Sequence, residues 1–271
     1  MKKAAVFVFF VLTFFSCLPD EKQYHYQSKK EGRAIAVRAA PAIPLIAEME
    51  QAHNVKTFIQ KEAVVFDLVI FSQGEKRIEA NITAATNSAG VRLERSNGVK
   101  LVYDGAKVWQ TPSDLEYRSA RFDIFTWQYF FMAPFKFSDP GTQWKAIGEK
   151  KLNGQTYDAA RLTFEDATGD SPKDWYIAYK SKATNLLECM VYIVTFGSND
   201  AREAEKELRA ITYHDYHTVD GVPFPATWKF WLWSEEKGLH TELGAAKVTN
   251  IHFVQEENFF EPPKNAKEIN F

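Results

Sequence analysis

Apolar residues recur at every second position along most of the chain, which is the period expected of β-strands. In residues 222–233 all the even positions are apolar, and the odd positions become aromatic at Trp231 and Trp233. Residues 63–71 show a similar pattern. Strands of this kind are apolar on both faces, so we expect their sheet to be covered on both sides.

Pairs of residues that favour tight turns separate the strand-like segments from one another. They are Asn97-Gly98, Asp104-Gly105, Asn153-Gly154 and Asp220-Gly221. This regular punctuation predicts one continuous antiparallel sheet that curls on itself. The expected fold class is therefore mainly β, of the α+β type, with few helices.

Two segments break the strand pattern and predict helices. The first is PLIAEMEQAH from residue 44, where Leu45, Ile46, Met49 and Ala52 recur at helical spacing. The second lies in RFDIFTWQYFFMAPFKF, residues 121–137, which holds eight aromatic residues.

This second helix is apolar on every side, and we expect Pro134 to end it. Phe122, Phe125, Tyr129 and Met132 share one side of the helical wheel, and the opposite side carries Trp127, Phe130 and Phe131. Such a helix must be docked at rest. At about 25 cal/mol per Å² of apolar surface, each ring exposed to water would cost several kcal/mol. It is either a permanent plug of the barrel or a lid that an acyl chain displaces.

The N-terminus predicts export and lipidation. Lys2 and Lys3 precede an apolar run that is too short to span a bilayer and ends at Ser16-Cys17. We expect a signal peptide at 1–16, a lipidated Cys17 with a flexible tether over 17–43, and a single folded domain over 44–271. An ordinary signal peptide with a chance cysteine is the alternative.

Composition and charge remove several functional classes. The chain has 271 residues, a net charge of −2 and 15% aromatic residues, 22 of them Phe. No basic stripe is visible, so nucleic acid is not an expected partner. Cys17 and Cys189 are the only cysteines, which excludes a disulfide framework and predicts that Cys189 is a small buried apolar residue.

The best candidate for chemistry is TYHDYHT, with His214, Asp215 and His217. Strand alternation predicts that Asp215 and His217 share a face and that His214 points the other way. Two ligands are too few for zinc, and no serine-nucleophile elbow, zincin motif or phosphate loop is present. We therefore predict no catalytic residue, no metal and no cofactor; a hydrolase or metal enzyme is the weaker rival.

Several segments together resemble the Lol-type lipoprotein-carrier superfamily, closest to lipid-anchored members of Gram-negative bacteria. They are PLIAEMEQAH, LVYDGAKVW, GEKKLNGQTYDAARLTFED, DWYIAYKSKATNLL and YHDYHTVDGVPFPATWKFW, and the resemblance spans residues 44–263. It implies a half-open antiparallel barrel of about eleven strands, with covering helices and a hydrophobic cavity for lipid chains. It also implies an arginine that latches the lid, for which Arg92 and Arg95 are the candidates.

The expected function is to bind a hydrophobic ligand, a lipid or a lipoprotein acyl chain, with transport as one role. The alternative is an envelope-stress sensor or scaffold that binds an envelope protein. We expect a lipid-anchored protein at the outer membrane or cell surface, or one that faces the periplasm. The predicted ligand-binding residues are apolar side chains of the barrel and of the aromatic helix: Phe66, Ile70, Phe125, Trp127, Phe130, Phe131, Trp228 and Phe230.

Overall fold

The computed structural model describes residues 41–166, 168–196, 200–255 and 258–270. The signal peptide, Cys17 and the tether up to residue 40 lie outside these ranges, so the statements about them remain predictions. Among the described residues, no helix is both long enough and apolar enough to cross a bilayer.

Within the described ranges, thirteen strands form one antiparallel sheet, as the sequence predicts, with two strands more than expected. The strands are β1 (Ala63–Ser72), β2 (Glu75–Ala85), β3 (Val91–Arg95), β4 (Lys100–Tyr103), β5 (Val108–Thr111), β6 (Thr142–Leu152), β7 (Gln155–Phe164), β8 (Tyr176–Lys180), β9 (Leu187–Tyr192), β10 (Arg209–Val219), β11 (Val222–Ser234), β12 (Gly238–Val254) and β13 (Lys267–Glu268). The helices are α1 (Pro44–Ala52), α2 (Val55–Phe58), α3 (Ala120–Met132) and α4 (Ala201–Ala204), and a 3-10 turn (Ala133–Phe135) follows α3.

The sheet consists of two meanders joined side by side. Strands β1 to β5 form one and β6 to β12 the other, and β1 pairs with β12 to connect them. The short β13 extends the first meander beyond β5, and β6 is the opposite edge. Because these two edges do not pair, the sheet is a half-open barrel.

Two of the predicted turns connect the long hairpins. Asn153-Gly154 joins β6 to β7 with φ angles of 47° and 85°, and Asp220-Gly221 joins β10 to β11 with 50° and 79°. Both central residues of each turn thus have positive φ, as a type I′ turn requires. The twist of such turns matches the twist of the strands, which fixes the register of both hairpins.

The face of the sheet that carries Phe66 and Trp228, here called the inner face, holds the main core. Alternation predicts this correctly: Val222, Phe224 and Trp228 of β11 are fully buried in it. Helices α1, α2 and α3 cover this face, and buried residues from each of them join the same cluster.

The opposite, outer face carries a second apolar cluster, so part of this face is covered as well. Its buried members come from β6 to β10 and their connections: Leu152, Tyr157, Ala159, Trp175, Tyr179, Cys189, Val191, Ile193 and Ala210. Residues of α4 pack against it, as do Trp231 and Trp233. Cys189 is a free, fully buried thiol whose pKa is raised by burial, as expected of a small apolar residue.

His53 ends α1 and is buried between that helix and the sheet. Its Nε2 accepts a hydrogen bond of 3.0 Å from the backbone N–H of Leu187, and its ring contacts the rings of Phe135 and Tyr216. Burial lowers the pKa of His53 from 6.5 to about 3. The imidazole is therefore neutral in the folded protein over the physiological range.

We predict that His53 makes the protein acid-sensitive. Between pH 6.5 and about pH 3 the unfolded chain binds a proton at this residue and the folded chain does not, so the free energy of unfolding falls as the pH falls. His53→Gln keeps a hydrogen-bond acceptor but cannot bind the proton. Chemical denaturation at several pH values should show that its free energy of unfolding depends less steeply on pH, by the equivalent of about one proton. The exposed His217→Gln is the control, and equal slopes in His53→Gln and wild type would contradict the prediction.

Candidate hydrophobic ligand site

Helix α3 lies against the inner face and has few polar positions to offer to solvent. In its C-terminal half Phe130, Phe131 and Met132 are buried, while Phe122 and Phe125 in its N-terminal half are half-buried. Pro134 lies in the 3-10 turn that follows, so the α-helix ends where the sequence predicts. The aromatic rings of α3 are therefore buried more deeply towards its C-terminal end.

Phe131 of α3 is at the centre of this packing. Its ring stacks on Phe66 of β1 with centroids 3.8 Å apart, and on Phe224 of β11 with centroids 5.0 Å apart. Phe131 thus joins the two strands that flank β12 on the inner face.

A second group of rings surrounds Phe130. Its centroid lies 5.0 Å from that of Tyr192, and the hydroxyl of Tyr213 donates a hydrogen bond of 3.0 Å to its backbone carbonyl. Trp127, one turn earlier, lies 6.1 Å from Phe230. This half of α3 is consequently held by rings from β9, β10 and β11.

All eight residues predicted to bind ligand meet in one cluster around α3. Six are buried in it, and Phe125 and Trp127 are half-buried against it. Sequence reasoning did not select Phe224, Tyr213 and Phe135, although Phe224 belongs to the same even-numbered pattern as Trp228. That these residues bind a ligand remains a prediction.

The resemblance implies a hydrophobic cavity for lipid chains, and this expectation stays a prediction. The rings of α3 occupy the inner face, because an all-round apolar helix lowers its free energy most by burying both of its sides. Two clefts, of about 370 and 510 Å³, lie instead on the outer face. A ligand on the inner face would therefore have to take the place of α3.

A chain of hydrogen bonds fixes the N-terminal end of α3. Arg95 donates to the hydroxyl of Tyr117 at 2.6 Å, and that hydroxyl donates to the carboxylate of Asp123. Ser119 at 3.0 Å and Trp127 at 2.8 Å donate to the same carboxylate. Burial and the neighbouring carboxylate raise the pKa of Tyr117 to about 12, so it stays a donor.

Only one of the two candidate arginines takes part. Arg95 shares the parity of Val91 and Leu93, which face the inner side, and so reaches the segment before α3. Arg92 lines the 370 Å³ cleft on the outer face, with an ion pair to Glu94 at 2.7 Å. A further ion pair, between Arg121 of α3 and Asp170, holds the helix to the loop after β7.

The predicted placement of His214 on the face opposite to Asp215 is wrong. Asp215 has a φ of 54°, which interrupts strand alternation, so that His214 and Asp215 line the same 510 Å³ cleft. His217 is exposed and does not line it. Among the residues that the structure describes, no three His, Cys, Asp or Glu side chains are grouped closely enough to hold a metal ion.

Two solved structures share this architecture. A LolA superfamily protein from Nitrosomonas europaea superposes with a TM-score of 0.53 and 10% sequence identity, over 82% of this chain and 98% of that one. The chain has the LolA-type fold. A domain named for outer membrane lipoprotein sorting, from Vibrio parahaemolyticus, superposes with a TM-score of 0.51 and 10% identity, over 79% of this chain and 95% of that one. No protein-family model and no curated protein matches this chain.

We predict that the Arg95 contact holds α3 against the LolA-type sheet. Arg95→Ala removes the charged donor of the hydrogen bond to Tyr117, which is worth about 1.5 kcal/mol. Amide hydrogen exchange in the first turns of α3 should therefore rise roughly tenfold. Arg92→Ala removes a cation from the same strand on the outer face and should leave this exchange unchanged. Equal exchange in the two variants would show that Arg95 is not a latch.

Proposed function

We propose that the protein is a lipid-anchored envelope protein that binds a lipid or a lipoprotein acyl chain on the inner face. The ligand takes the contacts that the rings of α3 make at rest. The observation that carries this proposal is the aromatic packing of α3 over the inner face, with Phe131 between Phe66 and Phe224. The LolA-type fold supports it, since one similar structure is named for lipoprotein sorting.

The energy of ring burial requires that α3 exchange its contacts for those of a ligand, because movement of the helix alone would expose its rings to water. Each ring of α3 buries on the order of 150–250 Å², so exposing it to water would cost several kcal/mol. An acyl chain contributes about 0.8 kcal/mol per buried methylene. A chain of ordinary length can therefore balance the loss of three or four rings, and the helix moves only when such a chain replaces it.

The polar contacts of α3 indicate which end moves first. Its N-terminal half is held by Arg95 and Asp170 and carries half-buried rings, whereas the rings of Phe130 and Phe131 at its C-terminal end are buried. Charged and hydroxyl groups regain hydrogen bonds from water when they separate, so this end opens at low cost. We propose that the acyl chain enters beside Phe122 and Phe125.

The inner face also offers a donor to the polar end of a ligand. The Nε1–H of Trp228 is buried and has no hydrogen-bond partner among the described residues. A buried donor without a partner carries a cost that a ligand acceptor would remove. We propose that it receives the ester or amide carbonyl of the bound chain.

Lipid binding is tested with a fluorescent fatty acid and with variants that should act in opposite directions. The sequence predicts Trp127 as a ligand contact, but in this proposal it belongs to the helix that competes with the ligand. Trp127→Ala should therefore tighten binding about tenfold, or ~1.4 kcal/mol, whereas weaker binding would mark it as a ligand contact. Phe230→Ala removes a ring from the barrel wall and should weaken binding by a similar factor. Trp109→Ala, half-buried on β5 and bonded to Asp104, is the control and should bind as wild type does.

Native mass spectrometry of protein purified from a Gram-negative envelope should show a lipid adduct. Absence of the adduct together with no binding of the fatty acid would refute the lipid proposal. A stoichiometric envelope protein that co-purifies without lipid would instead favour the sensor or scaffold role.

The anchor has its own test. Several acyl chains hold a protein stably on a membrane and a single chain does not, so a lipidated Cys17 makes attachment permanent. In Cys17→Ser the protein should leave the membrane fraction, while Cys189→Ala, which changes a buried thiol, should fractionate as wild type. Membrane association that survives Cys17→Ser would exclude lipidation as the anchor.

A further inference from the structure

The 510 Å³ cleft on the outer face, here called the outer cleft, has a lining unlike that of the inner face. It lies over β10, β11 and β12, and the Asn153 turn borders it. Six of its eight lining residues have polar side chains, and Trp231 supplies an indole ring. We propose that the outer cleft binds a neutral oligosaccharide, independently of any lipid on the inner face.

The backbone at Asp215 builds this cleft. In a regular strand His214 and Asp215 would point to opposite faces. Asp215 has a positive φ of 54°, and both residues line the outer cleft.

Trp231 provides a fixed aromatic surface. Its Nε1–H donates a hydrogen bond of 3.2 Å to the hydroxyl of Thr212, which sets the orientation of the indole. The ring is half-buried, and the Nζ atom of Lys229 lies 5.7 Å from its centroid while pairing with Glu242 at 3.2 Å. Such a ring can receive the apolar C–H face of a sugar.

The polar groups supply both donors and acceptors. Asn153 uses its Oδ1 to accept a hydrogen bond from Leu239, which leaves its amide N–H groups for a ligand. The Nε2 of His214 is hydrogen-bonded to Thr212 at 2.8 Å, and burial lowers the pKa of His214, so the ring is neutral near pH 7. Asp215 is exposed and its carboxylate is a pure acceptor. Hydroxyl groups, which donate and accept, complement this set.

Other ligand classes fit less well. An acyl chain needs a lining that is apolar throughout, whereas six of the eight residues that line the outer cleft carry polar side chains. A phosphate needs a cluster of cations, whereas Lys229 is paired with Glu242 and Asp215 is nearby. A quaternary ammonium is bound by a cage of several electron-rich rings, and among the described lining residues Trp231 is the one Trp, Tyr or Phe ring. The oligosaccharide remains as the class with matching chemistry.

The test uses the mature, full-length protein with chitotetraose and maltotetraose as probes. Saturation-transfer NMR should show binding of at least one probe, and titration of tryptophan fluorescence should give its Kd. Trp231→Ala should raise the Kd at least tenfold. Asp215→Asn removes the carboxylate and should also raise the Kd at least tenfold. Because Asn tolerates the left-handed backbone, this variant should keep the fold.

The matched controls are Trp233→Ala and His217→Ala. Trp233 is on the same strand and face as Trp231 but does not line the outer cleft, and His217 is outside it as well. Both controls should bind within twofold of wild type. Binding of neither probe, a Kd equal in Trp231→Ala and wild type, or binding of phosphocholine in place of the probes would overturn the proposal. Because fatty acid binding is measured separately, this failure is distinct from failure of the lipid proposal.

Discussion

The structure depends on burial of the aromatic rings of α3 against the inner face of an open sheet. An antiparallel sheet that does not close leaves its inner side uncovered, and here that side carries Phe66, Phe224 and Trp228. Burial of these rings is the dominant favourable term available to the fold, and a helix that is apolar on every side supplies the matching surface. Phe131, stacked at 3.8 Å on Phe66, is where the two surfaces meet most closely.

The same constraint acts on the outer face and leads to a different result. The second cluster covers part of this face, with Cys189 and Val191 at its centre and α4 at its margin. Where this cover ends, the outer-face positions of β10 and β11 become polar, as at His214, Thr227 and Lys229. Asp215, with a φ of 54°, lies at this border and lines the outer cleft. One sheet therefore presents an apolar inner surface and a polar outer recess.

The sequence predicts the architecture well because period-2 alternation specifies faces locally. The even positions of β11, the aromatic helix that ends before Pro134 and the two long hairpins at Asn153 and Asp220 all follow from short patterns. The orientation of Arg95 could also be read from its parity with Val91 and Leu93, although the sequence alone did not single it out.

What the sequence does not predict depends on local backbone geometry and on long-range packing. Alternation misplaced His214 and Asp215, because a single positive φ shifts the parity of the strand and nothing in the composition marks it. The occupation of the inner face by α3 depends on contacts between residues far apart, such as Phe131 with Phe224. Apolarity on all sides of a helix predicts burial, but it does not distinguish a filled barrel from a hollow one.

The distribution of polar groups along α3 argues for a lid and against a permanent plug. A plug would be held best by apolar contacts at both ends, since a buried carboxylate needs partners that must themselves be positioned. Instead, Asp123 is almost fully buried at the N-terminal end and is satisfied by Tyr117, Ser119 and Trp127. Those partners lie within or just before α3, so most of the network moves with the helix and keeps its hydrogen bonds. Arg95 is the member contributed by the sheet, so within this network only its contact would break if this end of α3 swung away, together with the ion pair between Arg121 and Asp170 outside the network.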